Sequence, residues 1–316
     1  MAILRLVVGV GIIGLIIWRV DVSQFVEALA DVNPFWLLLG FIVQQSSVYV
    51  WALRWARMLV IVEMPLPFVR LLKALFVGSF FSSFLPTSFS GDLYRGYWVL
   101  DDKGLYRKSI FVVFMERFIG LITLGYLILP VFVVLLMRDS ALGYVFFPVL
   151  LIMGFLCLSI VALHPGVFNF FNRVLFGDRA LLADVRSKVA RALTMLHQAG
   201  WALLPVYLYS FVIQADGILL FYCLGRALGL PLELWHYALI VPPTALATMF
   251  LPISFNGLGV REAMLVLLTS VLNVAVLPAQ AVALGVLVLA LNLVGTLIGG
   301  AIYVIGKPAR EYNPPS

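Results

Sequence analysis

Two copies of one short motif, each followed by an arginine, are the residues of this sequence best suited to bind an anion. The first copy reads Phe84-Leu-Pro-Thr-Ser-Phe-Ser-Gly91 and the second reads Phe250-Leu-Pro-Ile-Ser-Phe-Asn-Gly257, with six of eight positions identical. An arginine follows four positions after each glycine. Two proline-centred octapeptides with the same trailing arginine indicate an internal duplication.

The chemistry of the repeated motif follows from how it interrupts a helix. A proline ends one helical segment, and a serine or asparagine N-cap with a glycine begins the next. The first turn of a helix has unpaired backbone N–H groups and the positive end of the helix dipole, which together bind phosphate. An arginine one turn further on can hold the same anion. The residues assigned to this site are the prolines Pro86 and Pro252, the N-caps Ser90 and Asn256, the glycines Gly91 and Gly257, and the arginines Arg95 and Arg261.

Composition determines the class of protein that must position these residues. The chain is 63% hydrophobic and 11% charged, with a mean hydropathy of +1.09, which is far from soluble globular usage. It therefore predicts an all-α, polytopic helical membrane protein forming a single integral membrane domain over residues 1–316. The net charge of +6 lies in short loops, which favours contacts with anionic lipid headgroups and excludes a nucleic-acid partner. Two isolated cysteines predict neither a disulfide nor a thiolate metal site.

The apolar blocks divide the chain into an N-terminal segment and two repeats, with a linker between the repeats. Residues 1–33 hold a first helix and a short surface helix, and an uncleaved helix is favoured over a signal peptide because the nearest cleavage-like site lies too far beyond the apolar run. Repeat 1 covers residues 34–163, and repeat 2 covers residues 201–306. Residues 164–200 form a basic amphipathic linker, for which contact with anionic lipid is favoured over a regulatory partner.

Each repeat is predicted to contain a crossing helix, a broken hairpin and another crossing helix, and repeat 1 has one further crossing after these. The predicted crossings are Phe35–Leu53, Ile110–Met137, Leu142–Leu163, Trp201–Leu224 and Ala279–Ile305. The run Leu71–Pro86 is too short to cross a membrane, and the chain turns back after it. In the second half, Trp235–Leu251 enters the membrane and Val260–Leu277 returns. Each motif is therefore predicted to lie at the break of a re-entrant hairpin. Irregular backbone at membrane depth is tolerated only where it is buried or lines a cavity.

Charges in the loops predict the orientation. Arg54, Arg57, Arg70 and Lys73 follow the crossing Phe35–Leu53, which places that loop and both termini in the cytoplasm. The chain then enters the second motif from the opposite side of the membrane to the first. The two halves are therefore predicted to form an inverted-topology repeat, with a binding site near the bilayer midplane. The predicted location is the inner membrane of a prokaryote.

Polar residues inside the apolar segments are further candidates for the site, because a charge at the centre of a membrane helix costs about 2.5–3.5 kcal/mol. Adjacent opposite charges point in different directions around a helix, so each is predicted to pair with other residues. For the glutamines and serines, interhelical hydrogen bonding is favoured over ligand binding. The candidates are Asp92, Glu116, Arg117, Gln214, Asp216 and Glu262.

Three stretches together resemble one known family. Pro86-x-Ser-x-x-Gly-Asp-x-x-Arg95, Glu116-Arg-Phe-Ile-Gly-Leu121 and Pro252-Ile-Ser-Phe-Asn-Gly-Leu-Gly-Val-Arg-Glu262 resemble the lysylphosphatidylglycerol synthase transmembrane family, across nearly the whole chain. That family includes the flippase-like domain of the multiple peptide resistance factor and standalone relatives. The aminoacyl-transferase domain is absent here, so lipid lysinylation is not expected. The resemblance implies movement of a lipid or polyprenyl-linked headgroup between leaflets.

The leading functional hypothesis is a non-enzymatic lipid flippase that moves an anionic, phosphate-bearing lipid and needs no cofactor or metal. Glu262, Glu116 and Asp216 are expected to neutralise the arginines when the site is empty or to carry a coupling proton. Two alternatives stay open. One is a glycosyl- or phosphotransferase acting on a polyprenyl phosphate, for which Asp101-Asp102 is the nearest approach to an acidic metal pair. The other is a non-transporting accessory subunit with an envelope-biosynthesis partner, and a homo-oligomer is also compatible with the sequence.

Overall fold

The computed structural model describes residues 22–84, 90–99, 103–137, 199–250 and 257–305, and every regular element in these ranges is a helix. A 3-10 turn, Gly200–Leu203, precedes the sixth helix. The predicted first helix, the crossing Leu142–Leu163 and most of the basic linker lie outside the described residues. The helices are α1 Val22–Ala30, α2 Pro34–Ile61, α3 Phe68–Phe84, α4 Ser90–Trp98, α5 Lys103–Met137, α6 Leu204–Ala227, α7 Leu234–Phe250, α8 Val260–Val271 and α9 Pro278–Ile305.

Four helical segments are long and apolar enough to cross a membrane: Pro34–Ile61, Phe111–Ile128, Gly200–Ala227 and Pro278–Ile305. They correspond to the predicted crossings in each half of the chain. The chain is therefore a polytopic helical membrane protein.

The helices between the crossings are short. α3 and α7 each have 17 residues, α8 has 12 and α4 has 9. A membrane-crossing helix needs about 20 residues, so none of these four reaches across a bilayer comfortably. α3 and α7 are described up to Phe84 and Phe250, which are the first residues of the two motifs. Residues 85–89 and 251–256 lie outside the described residues, and with them Pro86, Pro252 and Asn256.

The helix α2 differs from its predicted bounds in a way that matters for the site. It begins where expected, because Asn33 accepts a hydrogen bond from the N–H of Phe35 at 3.0 Å and Pro34 occupies the first turn. It continues to Ile61, about two turns beyond the predicted end at Leu53. The prediction that Arg54 lies in a cytoplasmic loop is therefore wrong, because Arg54 is a buried residue of α2.

The second motif also differs from expectation. α8 begins at Val260 with Gly259 as its N-cap, so Asn256 is not the residue that caps this helix. Gly259 and Gly257 have φ angles of 87° and 75°, a region that residues with a Cβ rarely adopt. α8 also ends at Val271 rather than near Leu277.

The same helix contacts occur in both halves. α3 packs on α4 and α7 packs on α8, and each of these pairs is flanked by the long helices of its own half. α3 also packs on α9, and α7 packs on α5, so each short pair contacts the last long helix that is described in the other half.

The two halves meet most extensively along α2 and α6. The N–H of Asn33, at the start of α2, donates to the carbonyl oxygen of Ala227, at the end of α6, at 2.9 Å. Toward the other end, Arg54 Nη1 donates to Ser210 Oγ at 3.2 Å. The helices therefore run antiparallel, and they are the first long helix of each half.

Packing of α6 on α7 depends on a glycine. Tyr237 of α7 is fully buried, and a Cβ at Gly225 would overlap its hydroxyl oxygen. We expect Gly225→Ala to destabilise the protein by about 1–3 kcal/mol, because overpacking forces the helices apart. Thermal unfolding in detergent would measure this. Gly217→Ala on the same helix is the control, since its Cβ meets nothing within 4 Å, and equal melting of the two variants would contradict the packing argument.

Candidate functional site

The first hairpin holds α4 directly against α3 through glycines. A Cβ at Gly91 would overlap the hydroxyl of Ser82 and the carbonyl oxygen of Gly78, and a Cβ at Gly78 would lie 2.8 Å from the carbonyl oxygen of Gly91. Side chains at these positions would push the two helices apart. The glycine of the motif therefore sets where α4 lies, and with it the position of Arg95.

Arg95 is buried to 1% exposure, which is exceptional for an arginine. Its guanidinium carbon lies 4.9 Å from the ring centre of Trp51 and 4.7 Å from that of Trp55, both on α2. These indole faces stabilise the cation and exclude water from it. The environment of Arg95 is therefore built by helices from outside the motif.

Two carboxylates neutralise the Arg95 guanidinium. Its Nε lies 3.0 Å from Asp92 Oδ1, and its Nη2 lies 3.0 Å from Glu116 Oε2. Although the charges are this close, the N–H groups are not aligned for hydrogen bonding, and none of the three guanidinium nitrogens has a hydrogen-bond acceptor among the described residues. Arg95 is therefore a buried cation with compensated charge and unused donors.

The network extends beyond the motif in both directions. Glu116 is fully buried, and its Oε1 accepts a hydrogen bond from Arg54 Nε at 3.2 Å. Asp92 also forms an ion pair with Arg117, which is partly exposed. The prediction that Glu116 and Arg117 pair with other residues is therefore confirmed. The network joins α2, α4 and α5, and the hydrogen bond from Arg54 to Ser210 links it to α6 of the other half.

The network has more positive than negative groups among the described residues. Each carboxylate lies between two arginines, so no buried carboxylate depends on a single partner. Such charges are costly to bury unless they are paired. The members of this cluster, which we call the arginine network, are Arg54, Asp92, Arg95, Glu116 and Arg117.

The second hairpin is arranged differently. Arg261 is buried, and its Nε and Nη2 donate to Glu262 Oε1 at 3.0 and 2.8 Å. The N–H of Gly259 donates to the other carboxylate oxygen of Glu262 at 2.5 Å. The prediction that Arg261 and Glu262 pair with other residues is therefore wrong. The start of α8 turns their side chains toward each other.

The difference between the hairpins is encoded in the duplicated sequence. The residue after Arg261 is Glu262, whereas the residue after Arg95 is Gly96. Glu262 also fills a space left by Gly285 of α9, where a Cβ would lie 2.6 Å from Glu262 Oε1. Arg261 is thus paired with the next residue in the chain, whereas Arg95 is paired with Asp92 of its own helix and with Glu116 of α5. Among the described residues, the ion pairs of Arg95 and of Arg261 have no residue in common.

The polar residues within the long helices bond across helix pairs. Ser47 Oγ donates to Asp216 Oδ2 at 2.9 Å, and Gln214 Nε2 lies 3.4 Å from the carbonyl oxygen of Gly120. Neither of these two bonds involves an arginine. These contacts match the interhelical role favoured for the glutamines and serines.

Sequence reasoning missed three residues of this site: Arg54, Trp51 and Trp55. Arg54 was assigned to a loop because positive charges cluster after the apolar run. The available signal was its position in Trp51-x-x-Arg54-Trp55, where one helical face carries two indoles and one charge. Which carboxylate this charge meets depends on the packing of α2 against α5, which lies far along the chain.

The described ranges contain no group of three or more His, Cys, Asp or Glu side chains that could hold a metal ion. Asp101-Asp102, the pair considered for a transferase, lies outside the described residues. So does the side chain of Ser90, although α4 begins at this residue.

Comparison with known proteins identifies the group to which this chain is related. The sequence model described as the lysylphosphatidylglycerol synthase TM region matches residues 2–300. A protein of Pyrococcus horikoshii named UPF0104 membrane protein PH1989 is 21% identical over an alignment of 330 positions, which covers 95% of each chain. No solved structure matches this chain.

Proposed function

Because the chain belongs to the lysylphosphatidylglycerol synthase transmembrane family, a group of membrane proteins associated with lipid handling, we propose that it is a lipid flippase. Its substrate would be an anionic, phosphate-bearing phospholipid or polyprenyl-linked lipid. The headgroup would pass between leaflets through the protein while the acyl or prenyl tails stay in the bilayer.

This proposal rests on the burial of Arg95 and on the hydrogen-bond donors that its guanidinium does not use. It is an almost fully buried arginine whose guanidinium nitrogens have nearby opposite charges but no aligned acceptors among the described residues. Buried donors without acceptors cost free energy, and a phosphate offers three or four oxygens that satisfy them. A purely structural arginine would be expected to use its donors.

The duplicated architecture supports an alternating mechanism. We propose that the short helix pairs α3–α4 and α7–α8 are re-entrant hairpins of an inverted repeat, with the substrate site between the halves near the midplane. The antiparallel packing of α2 on α6 and the exchanged contacts of the short pairs support this arrangement. Rocking of one half against the other would open the site first to one leaflet and then to the other.

The roles of the network residues follow from their partners. Arg95 would bind the headgroup phosphate, and Asp92 and Glu116 would neutralise it when the site is empty. Arg261 would bind at the second hairpin once it is released from Glu262. The backbone amides that follow Gly91 and Gly257 would assist. We propose that the protein lies in the inner membrane of a prokaryote with both termini in the cytoplasm.

Lipid translocation in liposomes that contain only this protein tests the proposal. A fluorescent phosphatidylglycerol should become accessible to a bleaching agent in both leaflets, whereas a fluorescent diacylglycerol without phosphate should move no faster than in protein-free liposomes. Folded protein that moves no anionic lipid would contradict the flippase function. Movement only after a second membrane protein is added would favour the accessory-subunit alternative.

A further inference from the structure

We infer that Arg54 is the residue that holds Glu116 while Arg95 changes partners, and that it therefore sets the affinity for the anionic headgroup. The inference rests on the proposed function, because it assigns a role to a residue that does not itself bind substrate. Arg54 is a positioning residue in this scheme, acting on the site through Glu116.

Glu116 is shared between two arginines in a way that separates their roles. Its Oε1 lies 3.2 Å from Arg54 Nε, and its Oε2 lies 3.0 Å from Arg95 Nη2. The first contact meets hydrogen-bond geometry, while Glu116 Oε2 has no aligned donor. The bond to Arg54 is thus the directed one, and the contact with Arg95 is held mainly by charge.

Arg54 is fixed in place independently of Arg95. Its side chain is 7% exposed, and its Nη1 donates to Ser210 Oγ on α6. Ser210 is itself anchored by a hydrogen bond to the carbonyl oxygen of Val206 at 2.8 Å. Arg54 can therefore stay with Glu116 when Arg95 moves toward a ligand.

The need for such a residue follows from the burial of Glu116. When Arg95 turns to a phosphate, a fully buried carboxylate would lose one of its two cations. Leaving it without any partner in a low-dielectric environment is strongly unfavourable. With Arg54 in place the carboxylate of Glu116 stays paired, so releasing Arg95 from Glu116 costs little free energy. The affinity of Arg95 for the phosphate is therefore higher than it would be without Arg54.

A purely structural role for Arg54, as a link between α2, α5 and α6, makes a different prediction. In that case any loss of Arg54 damages the fold, and changing Glu116 as well cannot repair it. If Arg54 instead compensates the Glu116 charge, removing both charges together restores the affinity for the anionic headgroup. The double variant Arg54→Gln/Glu116→Gln separates the two roles, because it leaves Arg95 with Asp92 and with no buried, unpaired carboxylate.

The test is binding of dihexanoyl phosphatidylglycerol to the full-length protein in detergent, measured by calorimetry together with thermal unfolding. Arg54→Gln should weaken binding by at least about tenfold, because Arg95 becomes the only partner of Glu116. The double variant should bind within about threefold of the wild type, since the charge left unpaired is removed with its partner. Arg57→Gln, at an exposed position one turn along α2, should bind like the wild type.

Two results would overturn the inference while leaving the proposed function intact. One is unchanged binding by Arg54→Gln, and the other is a double variant that stays folded but binds as weakly as Arg54→Gln. Absence of binding by the wild type, or binding that Arg95→Gln does not change, would instead overturn the proposed function and the inference with it.

Discussion

Replacing Arg95 with glutamine should lower the rate of phosphatidylglycerol movement in liposomes by about 10- to 100-fold, because hydrogen bonds to charged groups contribute about 1.5–3 kcal/mol. Replacing Arg261 should have a smaller effect, since Glu262 already occupies two of its nitrogens. The double replacement of Arg95 and Arg261 should abolish movement. The measurement is the bleaching of fluorescent phosphatidylglycerol in liposomes that contain equal amounts of each variant.

The Arg95 variant should fold, which makes its rate interpretable. Without Arg95, Glu116 still pairs with Arg54 and Asp92 still pairs with Arg117. Arg57→Gln, which removes an exposed arginine of α2, controls for the loss of charge and should move lipid at the wild-type rate. Unchanged transport by the folded double variant would show that neither arginine binds the substrate.

Replacing Glu116 with alanine should have the largest effect on stability. It would leave Arg54 without its carboxylate partner and Arg95 with Asp92 alone in the interior, and breaking a buried pair in this way costs about 3–5 kcal/mol. We expect a large fall in the unfolding temperature in detergent. Glu116→Gln should be less damaging, because it keeps the volume and an acceptor oxygen for Arg54.

The control for this prediction is Glu27→Ala on α1, where the glutamate is exposed. It should change stability by less than about 0.5 kcal/mol, as expected for surface substitutions. If Glu116→Ala melted at the temperature of the Glu27→Ala variant, the ion pairs of the arginine network could not be a major stabilising feature.

The sequence predicted those parts of the fold that depend on residues close together in the chain. Long apolar runs predicted the four crossing segments. The Asn33-Pro34 pair gave the start of α2. The resemblance to the family, carried by the same motifs, is confirmed by the match over residues 2–300.

The parts that sequence did not predict depend on contacts between distant segments. Arg54 and Arg57 are both arginines near the end of an apolar run, but only Arg54 faces the side of α2 that meets Glu116. Glu262 accepts hydrogen bonds both from Arg261 and from the N–H of Gly259, a glycine with positive φ that caps α8. Motif identity therefore predicted equivalent arginines, while the residues around them make their environments different.

The central claim is that Arg95 holds the phosphate of an anionic lipid, and the most direct measurement is the lipid that the purified protein retains. Native mass spectrometry would compare the wild type, Arg95→Gln and Arg57→Gln, each extracted from the same membranes in mild detergent. We predict that anionic phospholipid or polyprenyl phosphate is enriched on the wild type and on Arg57→Gln and is lost from Arg95→Gln. The same retained lipids in all three proteins would contradict the assignment of Arg95 as the headgroup-binding residue.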